Sequence, residues 1–277
     1  MKDRLILASI LIPILLFIIW KGGMPFFLCM LLVNGIAQYE FYSLVKRQTK
    51  HSAYPFLGLV WGAVIITFVY WAGKLEMSWL GNAGLSFFST LFLLIYLFLF
   101  LIAGDTRNFV ASLGVNLAGV FYVSWLFSFA VRLRVLPPAG REIFLFLVAG
   151  IWIVDSAAYF GGTFFGRRLL MPMVSPKKTW EGFMAGLISG FLVSFLFLYI
   201  VKRSFDFFRL KDGIFFGLFI GFFGQAGDLI ESLMKRNFGV KDSGSLFPEH
   251  GGMLDKLDSL LVAAPLFFWY LKIFVMN

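Results

Sequence analysis

The residues best suited to chemistry lie near the end of the sequence, between Gly227 and Ser259. Four polar residues stand at positions i, i+3, i+4 and i+7, which a helix would place on one face: Asp228, Glu231, Ser232 and Lys235. Three more repeat the first of these spacings: Asp255, Asp258 and Ser259. Carboxylate oxygens suit Mg²⁺, which keeps part of its water and shares phosphate oxygens. The pattern therefore predicts a divalent-metal and phosphate site formed by these carboxylates.

The segment that joins these two acidic stretches combines glycines with positive charge. Gly251 and Gly252 allow a backbone to approach an anion closely. Lys235, Arg236 and Lys241 supply charge that compensates phosphate. The alternative interpretation is a solvated loop whose charges pair with one another. We favour the site, because only 14% of the chain is charged and many of those residues gather here.

A second polar segment, Asp155–Gly162, interrupts an otherwise apolar stretch. An acid inside a membrane helix is costly and usually faces a cavity or a partner. The glycines that follow it allow helices to pack closely. On the residues alone, a functional role for Asp155 and a structural pairing with a neighbouring helix are equally open.

A third polar segment, Ser175–Gly182, contains two adjacent lysines, Lys177 and Lys178. Lysines with nearby hydroxyl groups suit phosphate oxygens. Two structural alternatives remain. Ser175 or Thr179 would be a suitable cap for the helix that follows, and a lysine pair beside a membrane span is also a common topological signal.

The elements that must position these residues are membrane helices. Of the 277 residues, 60% are hydrophobic, whereas a soluble domain has roughly 45–50% apolar residues and about 25% charged ones. A chain of this composition needs lipid around much of its surface. We therefore predict an all-α, polytopic integral membrane bundle. We also expect two regions: membrane-spanning helices over residues 1–141, and a catalytic membrane region with cytoplasmic polar loops over residues 142–277.

About nine apolar runs are long enough to cross a bilayer, which takes roughly 20 apolar residues. They are Leu5–Trp20, Pro25–Val45, Phe56–Trp71, Leu85–Ala103, Val110–Val131, Ile143–Phe164, Phe183–Val201, Ile214–Glu231 and Leu260–Val275. We interpret the first run as a retained span, because no small-x-small cleavage site follows it.

The distribution of lysine and arginine indicates the orientation of these spans. A cytoplasmic N-terminus puts the larger share of them on the inside, as the positive-inside rule requires. It also puts two polar loops on the cytoplasmic side, where nucleotides are available: the loop between the sixth and seventh spans and the loop between the eighth and ninth spans. We expect a multi-pass protein of the inner (cytoplasmic) membrane whose active site faces the cytoplasm. The net charge of +9 favours anionic lipids and phosphorylated substrates over nucleic acid, because no soluble domain presents the charge. The late spans could also mediate a homodimer.

These segments together resemble the phosphatidate cytidylyltransferases, also called CDP-diacylglycerol synthases. The family signature is similar to Ser-x-x-Lys-Arg, then Lys-Asp, then His-Gly-Gly-x-x-Asp-Arg-x-Asp. It is matched here by Ser232–Arg236, Lys241–Asp242 and His250–Asp258. Lys256 stands where the signature has arginine, which keeps the charge but loses the bidentate fork. The resemblance is specific over Asp155–Ser259 and vague over the first half of the chain.

The resemblance implies transfer of a cytidylyl group from CTP to phosphatidate, giving CDP-diacylglycerol and pyrophosphate. It implies one or two Mg²⁺ ions, or Mg²⁺ with a second cation, and CTP, phosphatidate and membrane lipids as partners. The catalytic residues would be Lys241 and three aspartates that hold the metal: Asp228, Asp255 and Asp258. The substrate-binding residues would be Ser175, Lys177, Lys178, Thr179, Ser232, Lys235, Arg236, Asp242, His250, Gly251, Gly252 and Lys256.

Two other functions are compatible with parts of the pattern. A CTP-dependent lipid-alcohol kinase would share the nucleotide and metal requirements, but it would release CDP rather than pyrophosphate. A transporter would line its pathway with acids such as Glu40, Asp155 and Asp228. The transporter is disfavoured, because the polar residues cluster at the ends of the late spans and no repeat pairs the two halves of the chain.

Overall fold

The computed structural model describes residues 2–48, 54–74, 78–103, 109–244 and 251–276. Over these residues the chain is almost entirely helical. The helices are α1 (Lys2–Lys21), α2 (Gly23–Gln48), α3 (Pro55–Lys74), α4 (Ser78–Ala103), α5 (Phe109–Ala118), α6 (Leu126–Val135), α7 (Gly140–Phe165), α8 (Trp180–Val201), α9 (Leu210–Leu218), α10 (Gln225–Asn237) and α11 (Leu254–Tyr270). Three π-helical segments extend or join them: Gly119–Trp125, Phe219–Gly224 and Leu271–Val275.

Seven helices among the described residues are long and apolar enough to cross a membrane. They are Gly23–Lys46, Pro55–Lys74, Phe109–Val135, Gly140–Phe165, Trp180–Val201, Leu210–Asn237 and Leu254–Val275. The predicted first and fourth spans fall on α1 and α4, which contain the shorter apolar segments Ile12–Lys21 and Ser86–Ile102. The predicted class, a helical polytopic membrane protein, is confirmed.

The chain packs as two compact units. The first consists of Met1–Leu136 and Asp242–Leu254, and the second of Pro137–Lys241 and Asp255–Asn277. The signature is therefore divided. Gly251 and Gly252 belong to the first unit, whereas Asp228 and Asp258 belong to the second.

Close helix packing in the second unit depends on glycines of α8. A Cβ atom at Gly182 would come within 2.6 Å of the Ala158 carbonyl oxygen and 3.0 Å of the Gly162 Cα atom on α7. A Cβ atom at Gly190 would lie 2.9 Å from the Gly221 Cα atom. Small residues let membrane helices approach backbone to backbone, where there is no hydrophobic force to draw them together. The glycines of α8 therefore allow both α7 and the π-helical segment Phe219–Gly224 to pack closely against α8.

A short β-hairpin joins α7 to α8, where the sequence predicted a polar loop. Strands β1 (Leu169–Met171) and β2 (Ser175–Thr179) pair antiparallel, with Leu169 opposite Thr179. The hairpin leads directly into α8, because the Thr179 hydroxyl accepts a hydrogen bond from the Gly182 N–H at 3.2 Å. This contact is the helix cap that the sequence left open as an alternative.

The first unit has a core of buried aromatic residues in which polar groups are paired across helices. Tyr42 of α2 is fully buried, and its hydroxyl donates to the Asn116 carbonyl oxygen at 3.1 Å. Glu40 of the same helix is also buried, with 6% of its surface exposed. A buried carboxylate in a membrane helix needs donors, and those of Glu40 are described below.

Candidate active site

Helix α10 presents the polar face that the spacing predicted. The Ser232 hydroxyl donates to Asp228 Oδ1 at 3.3 Å, one turn earlier. Lys235 Nζ lies 3.5 Å from Glu231 Oε2, again at a spacing of i to i+4. Contacts of this spacing form only when both side chains leave the same side of a helix.

The first turns of α11 face this surface. Lys235 Nζ lies 2.6 Å from Asp255 Oδ1, which joins α10 to α11 through an ion pair. The two backbones meet at Gly227, where a Cβ atom would overlap the Asp258 carbonyl oxygen and lie 3.0 Å from the Ser259 Cα atom. Only glycine allows this approach, so Gly227 determines how closely Asp228 and Asp258 can stand.

The hairpin and α7 contribute to the same cluster. Lys178 Nζ of β2 lies 2.5 Å from Asp228 Oδ2 of α10. Asp155 of α7 interacts electrostatically with Asp228, Lys178 and Lys256. Arg236 fixes the hairpin in place, since its Nε donates to the Val174 carbonyl oxygen at 3.1 Å. Arg236 thus binds backbone oxygens in this structure, whereas the sequence assigned it to phosphate.

The cluster holds more carboxylates than cations. Its acids are Asp155, Asp228, Glu231, Asp255 and Asp258, and its lysines are Lys178, Lys235 and Lys256. Glu231 is the most deeply placed, with a side chain 1% exposed. Neither of its carboxylate oxygens accepts a hydrogen bond from the part of the chain that the structure describes. Buried negative charge without enough compensation is costly, so the cluster is suited to receive a further cation.

The carboxylates of the cluster are suitable ligands for Mg²⁺, but their present positions do not form a complete coordination site. Within the described ranges, no three acidic, histidine or cysteine side chains stand close enough together to hold an ion. Lysines occupy one oxygen each of Asp228 and Asp255. Mg²⁺ usually keeps several waters and needs only one or two protein carboxylates beside substrate phosphates. The buried carboxylate of Glu231, which accepts no hydrogen bond from the described residues, and the excess of carboxylates agree with that mode of binding.

The remaining predicted residues of the second unit lie on β2, beyond the end of α10 and on α11. Ser175 and Thr179 begin and end β2, and Thr179 caps α8. Lys177 is exposed on the same strand. Lys241 is exposed beyond the end of α10, and Lys256 is exposed on α11. The predicted phosphate contacts of these residues stay predictions.

The other predicted residues belong to the first unit. Asp242 is exposed, whereas Gly251 and Gly252 are buried. Gly251 has a positive φ of 81°, a conformation that glycine adopts without strain. Gly252 lies against the carboxylate of Glu40. His250 lies outside the described residues.

Sequence reasoning left out two acids of this cluster, Glu231 and Asp155, and the role of one acid of the first unit, Glu40. Glu231 shares the helical spacing of Asp228, and that spacing was the signal that could have included it. Asp155 was identified as a costly acid but was not assigned to the site. Glu40 was considered only as a transporter residue, since its partners lie more than 200 positions later in the chain.

The chain is similar to known proteins over nearly its whole length. The profile of the cytidylyltransferase family matches residues 2–274. The chain is similar to the phosphatidate cytidylyltransferase of Bacillus subtilis strain 168, with 30% identity over 277 residues that cover 99% of this chain and 98% of the relative. It is similar to the Staphylococcus saprophyticus enzyme of that name, with 31% identity over 266 residues (96% and 97%). The Staphylococcus aureus strain COL enzyme shares 32% identity over 269 residues (96% and 97%). The resemblance predicted from the signature is confirmed, and the chain belongs to the cytidylyltransferase family.

Proposed function

We propose that this membrane protein transfers a cytidylyl group from CTP to phosphatidate, giving CDP-diacylglycerol and pyrophosphate. The observation that carries the proposal is the cluster in which lysines of β2 and α10 meet carboxylates of α10 and α11. Such a cluster can bind two polyanionic substrates and a divalent ion together. Family membership and the names of the relatives support the same reaction.

The reaction needs charge compensation more than it needs a base. The lipid phosphate is a phosphomonoester with a second pKa of about 6, so near neutral pH it is mostly a dianion. One of its oxygens attacks the α-phosphorus of CTP. The bond from that phosphorus to the bridging oxygen breaks, and its electron pair leaves with pyrophosphate. The task of the protein is to hold the two phosphates in line and to neutralise their charge.

The lysines of the cluster are the groups that would perform this task. Lys178 and Lys235 each have an ammonium group beside a carboxylate, where a phosphate oxygen can replace the carboxylate as the partner. Lys256 is exposed and interacts with Asp155. We assign these lysines to the phosphate groups of the substrates, and the Ser232 hydroxyl to a hydrogen bond in the same region.

The aspartates would hold Mg²⁺. Asp228, Asp255 and Asp258 are the ligands that the family resemblance implies, and Glu231 is a further carboxylate of the same cluster. When bound, the ion neutralises phosphate oxygens and stabilises the departing pyrophosphate. Lys178 and Lys235 would be available to the substrates when Asp228 and Asp255 hold the ion instead of these lysines.

The proposal includes a location. CTP is a cytoplasmic nucleotide, so the cluster would face the cytoplasm from the inner membrane, in agreement with the distribution of lysine and arginine. The acyl chains of phosphatidate would stay in the bilayer while the headgroup enters from the side.

The test is the identity of the released product. Purified protein in detergent is incubated with CTP, with and without phosphatidate and Mg²⁺, and both pyrophosphate and CDP are measured. We expect pyrophosphate release that requires phosphatidate and Mg²⁺ together. Release of CDP with a lipid alcohol would establish a kinase instead, and no release under any lipid or metal condition would refute the proposal.

A further inference from the structure

Glu40 is a buried acid of the first unit that binds the segment carrying the signature glycines. Its Oε1 atom accepts a hydrogen bond from the Met253 N–H at 2.9 Å. Its Oε2 atom accepts from the Leu254 N–H at 2.9 Å and from the Ser243 hydroxyl at 3.2 Å. One carboxylate of α2 therefore binds two stretches of chain about 200 residues away, just after Asp242 and just before Asp255.

The two backbone donors are those that begin α11. Leu254 is the first residue of that helix, and the first N–H groups of a helix have no acceptor within it. A carboxylate satisfies them and also interacts favourably with the positive end of the helix dipole. Hydrogen bonds to an ionised acceptor are roughly twice as strong as neutral ones. Glu40 thus caps α11 from a distant part of the sequence, where a local serine, threonine or aspartate would normally do so.

Glycines on both sides make room for this carboxylate. A Cβ atom at Gly244 would stand 2.5 Å from Glu40 Oε1, and one at Gly252 would overlap Glu40 Oε2. The second signature glycine is therefore required for the approach of Glu40, whatever it contributes to a phosphate. Four residues of the segment, Ser243, Gly244, Gly252 and Met253, are shaped around one side chain of α2.

We propose that Glu40 is a positioning residue for the transfer reaction. By holding the start of α11, it fixes the first turn of the helix on which Asp255 follows Leu254 and Asp258 stands one turn later. The inference rests on the proposed role of these aspartates. It gives the first half of the chain a part in catalysis, since α2 supplies the group that orients the acidic end of α11.

The test compares Glu40→Gln with Tyr42→Phe in the full-length protein. Glutamine keeps the size of the side chain but loses the charge, and its NH₂ group cannot accept a hydrogen bond from an N–H. Tyr42→Phe is the matched control, because it removes the buried hydrogen bonds of a hydroxyl on the same helix, to Asn116 and Tyr96. Hydrogen exchange of peptides containing Met253 and Leu254 reports on the cap directly, without reference to activity.

We expect Glu40→Gln to accelerate exchange at these two amides by about tenfold or more, because their acceptor is weakened. We expect kcat to fall by about 10- to 100-fold, the usual effect of removing a group that orients catalytic ligands, while KM for phosphatidate changes little. Tyr42→Phe should lower Tm without either effect. A Glu40→Asp variant, which keeps the charge, should recover part of kcat.

Three results would overturn the proposal. Unchanged exchange at Met253 and Leu254 would show that Glu40 is not the cap. Faster exchange with wild-type kcat would show that the cap does not position the site. Equal losses of kcat in Glu40→Gln and Tyr42→Phe would show a general loss of structure.

If Glu40→Gln does not fold, Ser243→Ala removes one donor of the same carboxylate and must produce smaller changes in the same direction. Failure of the proposed site would be seen separately, as full activity in Asp258→Asn.

Discussion

Replacing Lys235 by methionine removes the cation at the centre of the acidic cluster. Its ammonium group lies 2.6 Å from Asp255 Oδ1 and 3.5 Å from Glu231 Oε2. The side chains of these three residues are 13%, 9% and 1% exposed, so water can replace little of the lost interaction. Methionine fills a similar volume, which limits the change to one of charge.

The expected cost is large for one residue. Removing one partner of a buried ion pair typically destabilises a protein by about 3–5 kcal/mol. Because Lys235 retains some exposure, we expect about 3 kcal/mol. At about 2–4 °C per kcal/mol for chains of this size, the decrease in Tm is on the order of 6–12 °C. The Lys235→Met, Glu231→Gln double variant removes one of the uncompensated charges and should recover about half of the loss.

Thermal unfolding in detergent, followed by the fluorescence of the eight tryptophans, measures this effect. Lys202→Met is the matched control, because Lys202 is exposed in the same unit and should leave Tm within about 1 °C. A Tm for Lys235→Met within that same range would refute the view that the buried carboxylates of the cluster need this cation. The same conclusion would follow if the double variant were less stable than the single one.

Three further predictions concern the geometry of the site. Gly227→Ala should lower both Tm and kcat, because its Cβ atom would overlap the Asp258 carbonyl oxygen. Gly114→Ala is the control, because Gly114 is an exposed helical glycine whose Cβ atom would meet no neighbour within 4 Å; an equal loss of kcat there would contradict the role of Gly227. Thr179→Ala should lower the free energy of unfolding by about 1 kcal/mol, because it removes the cap of α8. Thr179→Ser keeps the capping hydroxyl and should lose much less. Equal Tm values for the two variants would contradict the cap. Chelation of divalent ions with EDTA should stop pyrophosphate release and excess Mg²⁺ should restore it, so release that continues in EDTA would exclude the metal proposal.

Local periodicity was enough to predict the polar face of α10. The i, i+3, i+4 and i+7 spacing placed Asp228, Ser232 and Lys235 on one face, and their contacts across one helical turn agree with it. The membrane class followed from composition, because few folds other than a helical bundle can accommodate so much apolar side chain. Both inferences depend on neighbours in sequence, which the periodicity of a helix relates directly to neighbours in space.

The long-range pairs could not be predicted in this way. The contact of Lys178 with Asp228 depends on a short hairpin. Pro172 lies in its turn and Pro176 lies in its second strand. In the sequence, this segment therefore resembles a loop. The contact of Glu40 with Met253 and Leu254 joins residues 213 and 214 positions apart. No local pattern marks such a pair, and its glycine partners have a second interpretation as anion-binding residues.

The most direct test of the central claim is the rate of CDP-diacylglycerol formation by Asp228→Asn. Asparagine keeps the shape of the side chain but removes the charge that faces Lys178 and Asp155. Asp206→Asn is the matched control, because Asp206 is an exposed acid of the same unit in the turn after α8. The proposed site predicts that Asp228→Asn, folded and with a normal Tm, loses about 100-fold or more in kcat, while Asp206→Asn retains wild-type activity. Full activity in Asp228→Asn would contradict the assignment of this cluster as the active site.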